Sequence, residues 1–172
     1  MRGTRYSEAE LVQIVTWQIG RRPLIEFNVA RECDYGWPAV MINSPFNATG
    51  DLNPNLFYLC CPYLRVELAR LEDAGFIAAL QRIIDEDSDL KQHLETAQAA
   101  HDHEWRLAAG EQAGSGRAGG VNIAGSGETT HLKCLHAHFA YFLTHPDYIV
   151  GLRIVEILGN IWCDDETCSK WK

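Results

Sequence analysis

The residues best suited to chemistry lie in one short segment, residues 133–138 with the sequence KCLHAH. Residues four apart share one face of an α-helix, so a helix here points Cys134 and His138 the same way and His136 roughly the opposite way. His131 lies near the first face. A thiol and an imidazole on one face supply two ligands for a soft or borderline metal, or a nucleophile beside its base. A helix with one buried cysteine and capped or exposed histidines fits the same pattern.

Two further cysteines occupy predicted ends of secondary-structure elements. Cys61 precedes Pro62, and proline is typical of the first residue of a helix, so Cys61 is predicted as the helix N-cap. Backbone N–H groups and the helix dipole at such a position lower the pKa of a thiol, which suits a nucleophile or a metal ligand. Cys33 lies in a predicted turn between two strands, where metal ligands are often presented. Either cysteine can instead simply pack where the chain turns.

A glycine-rich stretch suggests a site for an anion. Residues 110–128 are predicted as a mobile loop or lid, because glycines are frequent and apolar anchors are scarce. Small residues such as Gly119 and Gly120 let backbone amides approach an anion, and Arg22 and Lys133 add positive charge. The stretch matches neither a Walker motif nor a dinucleotide fingerprint. The sequence therefore predicts either a small anionic ligand held by these four residues or a simple flexible loop.

Composition limits the class of protein. The chain has 172 residues, a formal net charge of −8 and 47% hydrophobic residues, which fits one globular domain. The negative charge opposes binding to nucleic acid or to an anionic membrane. No apolar run is long enough for a membrane span, and the N-terminus lacks the apolar core of a signal peptide. We therefore expect a cytoplasmic protein whose six cysteines are reduced thiols rather than disulfides.

The elements that must position these residues define a mostly helical α+β fold. A capping box at Ser7 and Glu10 predicts a first helix, and Pro62 and Ser88 mark the starts of two others. We predict one domain, residues 1–172, with a small antiparallel sheet of about three short strands in its N-terminal half and a tail at residues 160–172. The predicted strands are 24–30, 39–43 and 56–60, and the predicted helices are 7–18, 62–74, 76–84, 88–109, 129–144 (from Thr129 or Thr130) and 147–158.

Four short motifs occur in the following order along the chain: IGRRP (19–23); VAREC (29–33) with Gly36 and Pro38; YLCCPYL (58–64) with RLE (70–72) and Gly75; and GGV (119–121) with KCLHAH (133–138). On these stretches the chain resembles a bacterial family known only as domain of unknown function 501. The resemblance singles out five residues, namely Cys33, Cys61, Cys134, His136 and His138. It implies no particular reaction. Cys163 and Cys168, by contrast, are predicted to belong to the tail.

Taken together, the residues predict a metal centre held by Cys33, Cys61 and Cys134, with His138 as the fourth ligand. Four nitrogen and sulfur ligands suit tetrahedral zinc, and three cysteines with one further position suit an iron–sulfur cluster. Such a centre could act on a small anionic substrate. A metal-free thiol enzyme, with Cys134 or Cys61 as nucleophile and His138 as base, is the alternative.

A third hypothesis is a non-catalytic adaptor that binds a protein partner. It would use the acidic surface of the chain or the aromatic side chains of Trp17, Trp37 and Trp105. Capture of a protein partner from native lysate would distinguish this hypothesis from the other two.

Overall fold

The computed structural model describes residues 5–113 and 121–171, and it confirms an α+β fold with a small antiparallel sheet. The first helix, α1, spans Glu8–Ile19 and begins at the predicted capping box. The Ser7 hydroxyl accepts from the Glu10 N–H, and the Glu10 carboxylate accepts from the Ser7 N–H. Gly20 ends the helix with a φ of 76°, a conformation that glycine adopts without strain.

The sheet contains three antiparallel strands in the order β1-β2-β3, where β1 is Phe27–Glu32, β2 is Pro38–Asn43 and β3 is Phe57–Leu59. Met41 of β2 packs with Val15 and Ile19 of α1, so α1 covers one face of the sheet. The other face contributes to the main core. The first strand begins later than the predicted residue 24, because Leu24 is 78% exposed and lies outside the sheet.

Three consecutive helices follow the sheet: α2 is Pro62–Asp73, α3 is Phe76–Glu86 and α4 is Ser88–Ala109. Pro62 is the first residue of α2, as predicted. Gly75 separates α2 from α3 with a φ of 80°. The Asp87 carboxylate accepts from the N–H groups of Asp89 and Leu90 and so caps α4.

The last two helices are α5, Leu135–Thr144, and α6, Ile149–Leu158. The predicted start of α5 at Thr129 or Thr130 is wrong. The Gln81 side chain donates to the Thr130 carbonyl at 2.9 Å and accepts from the Leu132 N–H at 2.8 Å. These bonds hold residues 130–132 in a non-helical path, so Cys134 becomes the N-cap of α5 with a φ of −156°.

Two segments that the sequence assigned to a loop and a tail are packed where the structure describes them. Val121 and Ile123 are buried, and their N–H groups donate to side chains of α4, Asp102 and Gln98 respectively, each at 2.7 Å. Residues 114–120 of the predicted loop lie outside the described part of the chain. In the C-terminal segment, Cys168 is buried in a cluster with Trp37.

No helix within residues 5–113 and 121–171 is both long enough and apolar enough to cross a membrane.

Candidate functional site

One group of side chains combines a thiol, an imidazole and a carboxylate at the junction of α2 and α5. The candidate ligand atoms of Glu72, Cys134 and His136 all lie within 4.8 Å of one another. Glu72 belongs to the last turn of α2, Cys134 is the N-cap of α5, and His136 lies in the first turn of α5. In residues 5–113 and 121–171 this is the only set of three or more His, Cys, Asp or Glu residues with that proximity.

The His136 ring is held from both of its nitrogens. Its Nδ1 lies 3.2 Å from a Glu72 carboxylate oxygen and 3.9 Å from the Cys134 sulfur. Its Nε2 lies 3.0 Å from the Arg65 carbonyl oxygen, which can only accept, so Nε2 carries the proton. In the neutral ring this leaves the lone pair on Nδ1, the nitrogen that faces the thiol and the carboxylate.

The surroundings favour a positive charge on this ring when no cation is bound. The hydrogen bond with Cys134 is the largest influence, and together with the Arg65 carbonyl and Glu72 it raises the pKa of His136 to about 9, although burial acts in the opposite direction. The neighbours that stabilise a proton on His136 Nδ1 would also stabilise a metal cation bound there in place of the proton.

Glu72 also fixes the start of α5. Its Oε1 accepts from the Leu135 N–H at 2.6 Å, which satisfies one of the N–H groups left free at a helix N-terminus. The carboxylate therefore joins α2 to the first turn of α5 and sets the position of Cys134 beside it. The side chains of Glu72 and His136 are about one-quarter exposed and Cys134 is half-buried, so the group can be reached from solvent.

Helical spacing predicts Cys134 beside His138, whereas the structure pairs Cys134 with His136. The spacing applies only inside a helix, and Cys134 is an N-cap with extended backbone. An N-cap side chain folds over the first turn and meets the residues that follow it closely. The predicted opposite orientation of His136 is therefore wrong.

His138 lies in the core, away from the thiol. It is fully buried, and its Nδ1 is 2.7 Å from the Tyr148 hydroxyl. Its Nε2 has no hydrogen-bond partner among the described residues. Burial, together with His101 and His131, lowers the pKa of His138 to about 3, so the ring is neutral at physiological pH.

Cys61 is the N-cap of α2, as predicted, but its thiol is not activated. Burial raises the pKa of Cys61 to about 12, because the loss of solvation outweighs the N–H groups of Leu64 and Tyr63, which favour the thiolate. The predicted lowering of this pKa is therefore wrong. The effect of the helix terminus is present, but it is smaller than the effect of burial.

Cys33 lies between β1 and β2 and is near Cys61 and Cys168, whose thiols it influences electrostatically. Cys168, at the C-terminal end, accepts from the Gln18 side-chain amide at 3.3 Å. Cys33 packs against two buried clusters, one that contains Cys61 and one that contains Cys168, and neither cluster includes Cys134. Among the described residues, neither Cys33 nor Cys61 belongs to a set of three close ligand atoms.

Of the four predicted anion-binding residues, the structure describes Arg22 and Lys133. Arg22 is exposed beside α1, where it borders a surface groove with Trp17 and Trp171. Lys133 is exposed, and its ammonium group lies 3.4 Å from the Gly125 carbonyl oxygen. Gly119 and Gly120 lie outside the described residues.

The tryptophans assigned to an adaptor surface differ in exposure. Trp37 and Trp105 are buried, and the Trp105 indole donates to the Asn53 carbonyl at 2.8 Å. Trp17 is 39% exposed. Of these three aromatic side chains, Trp17 alone offers substantial surface to a partner.

Comparison with known proteins finds a family model that matches most of the chain. The family model described as "Protein of unknown function (DUF501)" matches residues 29–156. The matched segment contains Glu72, Cys134 and His136, and it excludes α1 and the C-terminal cysteines. No curated protein and no solved structure matches the chain.

Proposed function

We propose that this chain, which belongs to the DUF501 family, is a metalloprotein that binds one zinc ion through Cys134, His136 and Glu72. Three protein ligands leave a fourth position of tetrahedral zinc for water or substrate, which is the usual arrangement of catalytic rather than structural zinc. The proposal extends to catalysis on a small anionic substrate at that position. The observation that carries it is the convergence of sulfur, nitrogen and carboxylate oxygen within 4.8 Å.

The distances between the ligand atoms fit such a centre. Zinc–ligand bonds of ordinary length at tetrahedral angles place sulfur and nitrogen about 3.5 Å apart, and nitrogen and oxygen about 3.4 Å apart. The corresponding separations here are 3.9 Å from Cys134 Sγ to His136 Nδ1 and 3.2 Å from His136 Nδ1 to Glu72 Oε1. Small side-chain adjustments are enough to reach the ideal values.

The neighbours of the ligands support the same proposal. Histidines that bind metals usually donate their second ring N–H to a carbonyl or a carboxylate, which fixes the ring and the tautomer. The contact of His136 Nε2 with the Arg65 carbonyl has this form and leaves Nδ1 free to bind.

Elemental analysis of protein purified without added metal tests the proposal. We expect about one zinc per chain, lost in the variants Cys134→Ser, His136→Ala and Glu72→Gln. The matched controls Cys163→Ser, His103→Gln and Glu86→Gln change partly or fully exposed residues of the same types and should retain the metal. Circular dichroism establishes that each variant is folded.

The variants Cys33→Ser and Cys61→Ser separate this centre from the one predicted by sequence. Both should retain zinc if the ligands are those proposed. Loss of the metal on either substitution, or a folded wild-type protein that contains no metal, would contradict the proposal. A brown protein with iron and labile sulfide would indicate a cluster instead.

A second candidate, a metal-free thiol enzyme, is favoured by the orientation of His136. Its Nδ1 faces the Cys134 sulfur while its Nε2 donates to the Arg65 carbonyl. A base beside a nucleophile is held in the same way, with a third group orienting it. Under this alternative the chain is purified without metal, and Cys134 reacts fastest of the six thiols with iodoacetamide. His136→Ala should then slow that reaction, whereas His103→Gln should not.

A further inference from the structure

A cavity of about 160 Å³ lies between the end of α1 and the sheet, apart from the group formed by Glu72, Cys134 and His136. Its wall is formed by the end of α1, the segment that leads to β1, the loop before β3, and side chains of β2 and β3. Its volume resembles that of a cavity able to enclose a benzene ring, so a small organic molecule fits it.

The floor of this cavity is apolar. Ile19 and Met41 are 8% and 3% exposed, and Pro23 and Ile25 complete the apolar surface. Such a floor favours a short aliphatic or aromatic group, because its burial removes apolar area from water. The apolar floor contributes little to the binding of a bare inorganic ion.

The rim of the cavity is polar and contains a positive charge. Arg21, Asn55 and Tyr58 line it, and their side chains make no hydrogen bond or ion pair with another residue of the described chain. An Arg guanidinium pairs two of its N–H groups with a carboxylate, while an amide and a phenol hydroxyl donate further hydrogen bonds. None of the lining residues is acidic, although the whole chain carries a net charge of −8.

The loop beside the rim is held in place by its own side chains. Asn43 donates to the Asn55 carbonyl at 2.9 Å, and Asn53 donates to the Ser44 carbonyl at 3.0 Å. Because these amides are hydrogen-bonded to the backbone, the loop that lines the cavity is ordered before any ligand binds. The entropic cost of ordering the loop on binding is therefore small.

We propose that this cavity binds a small organic anion, a carboxylate attached to a short apolar group. The carboxylate pairs with Arg21 at the rim, and the apolar group contacts Met41 and Ile19 on the floor. The site stands independently of the proposed zinc centre, since it shares no residue with it.

Titration of the full chain with sodium benzoate, followed by NMR in the presence of a chelator, tests this proposal. We expect saturable shifts around Arg21 and Met41 with a Kd in the millimolar range or below. Benzamide has the same ring without the charge, and it should bind about tenfold more weakly because the charge-assisted pair with Arg21 is lost. Arg21→Gln should weaken benzoate binding by a similar factor, while Arg82→Gln, an exposed arginine on α3, should leave it unchanged.

The absence of a saturable shift with benzoate, equal affinity for benzoate and benzamide, or unchanged affinity in Arg21→Gln would each overturn the proposal. Since Arg21 is exposed and makes no hydrogen bond or ion pair with another described residue, the variant is expected to fold, and its NMR spectrum verifies this. Inorganic phosphate serves as a further probe. If it binds as tightly as benzoate, the apolar floor plays no part and the proposal is wrong.

Discussion

Protonation of one buried histidine should weaken the fold in mild acid. His138 is fully buried beside Tyr148, and burial lowers its pKa from the ordinary value of 6.5 to about 3. Below pH 6.5 the unfolded chain binds a proton at this ring that the folded chain does not. The free energy of unfolding therefore decreases as the pH falls from 6.5 toward 3.

The size of the effect follows from the two pKa values. Each pH unit in this window is worth about 1.4 kcal/mol once the unfolded histidine is fully protonated. Between pH 6.5 and 4.5 the contribution integrates to about 2 kcal/mol, because protonation of the unfolded ring is only half complete at the upper limit. That is a large part of the stability of a typical domain.

Urea denaturation of the wild type and of His138→Gln at several pH values measures this contribution. Carboxylates titrate in both proteins, so the difference between the two pH profiles isolates His138. The wild type should lose about 2 kcal/mol more than the variant between pH 6.5 and 4.5, and His103→Gln, an exposed control, should follow the wild type. Parallel profiles for wild type and His138→Gln would refute the reasoning.

Further substitutions test the packing of α6 against α5 and the cap of α1. A methyl group at Gly151 would overlap the Phe142 side chain, so Gly151→Ala should destabilise the chain by at least about 2 kcal/mol in thermal denaturation. Gly127→Ala, where the added methyl meets open space, should be nearly neutral, and equal effects at the two positions would contradict the packing argument. Ser7→Ala removes the capping box with Glu10 and should cost about 1 kcal/mol in the same assay, and an unchanged midpoint would show that the cap contributes nothing.

The sequence predicted those elements of the fold that depend on local signals. The capping box at Ser7 and the proline at the start of α2 both act through neighbouring residues. The start of α5 depends instead on Gln81, which binds residues 130 and 132 from a distant helix. No local pattern carries that information.

The late start of α5 also explains why the sequence predicts only part of the group formed by Glu72, Cys134 and His136. The KCLHAH segment points to Cys134, but helical spacing predicts His138 as its partner, and that spacing does not apply to an N-cap. Glu72 lies in the RLE stretch (70–72), but nothing in that stretch pairs it with Cys134. The two residues meet only because α2 packs against the start of α5, and no local pattern predicts that contact.

X-ray absorption at the zinc edge is the most direct test of the proposed centre. Zinc bound by Cys134, His136 and Glu72 has one sulfur in its first shell, with the remaining ligands nitrogen and oxygen, and the imidazole adds its outer-shell scattering. Cys134→Ser should remove the sulfur contribution or the metal itself. Two or more sulfurs per zinc would contradict this set of ligands, and a folded chain that binds no zinc would contradict the metal centre altogether.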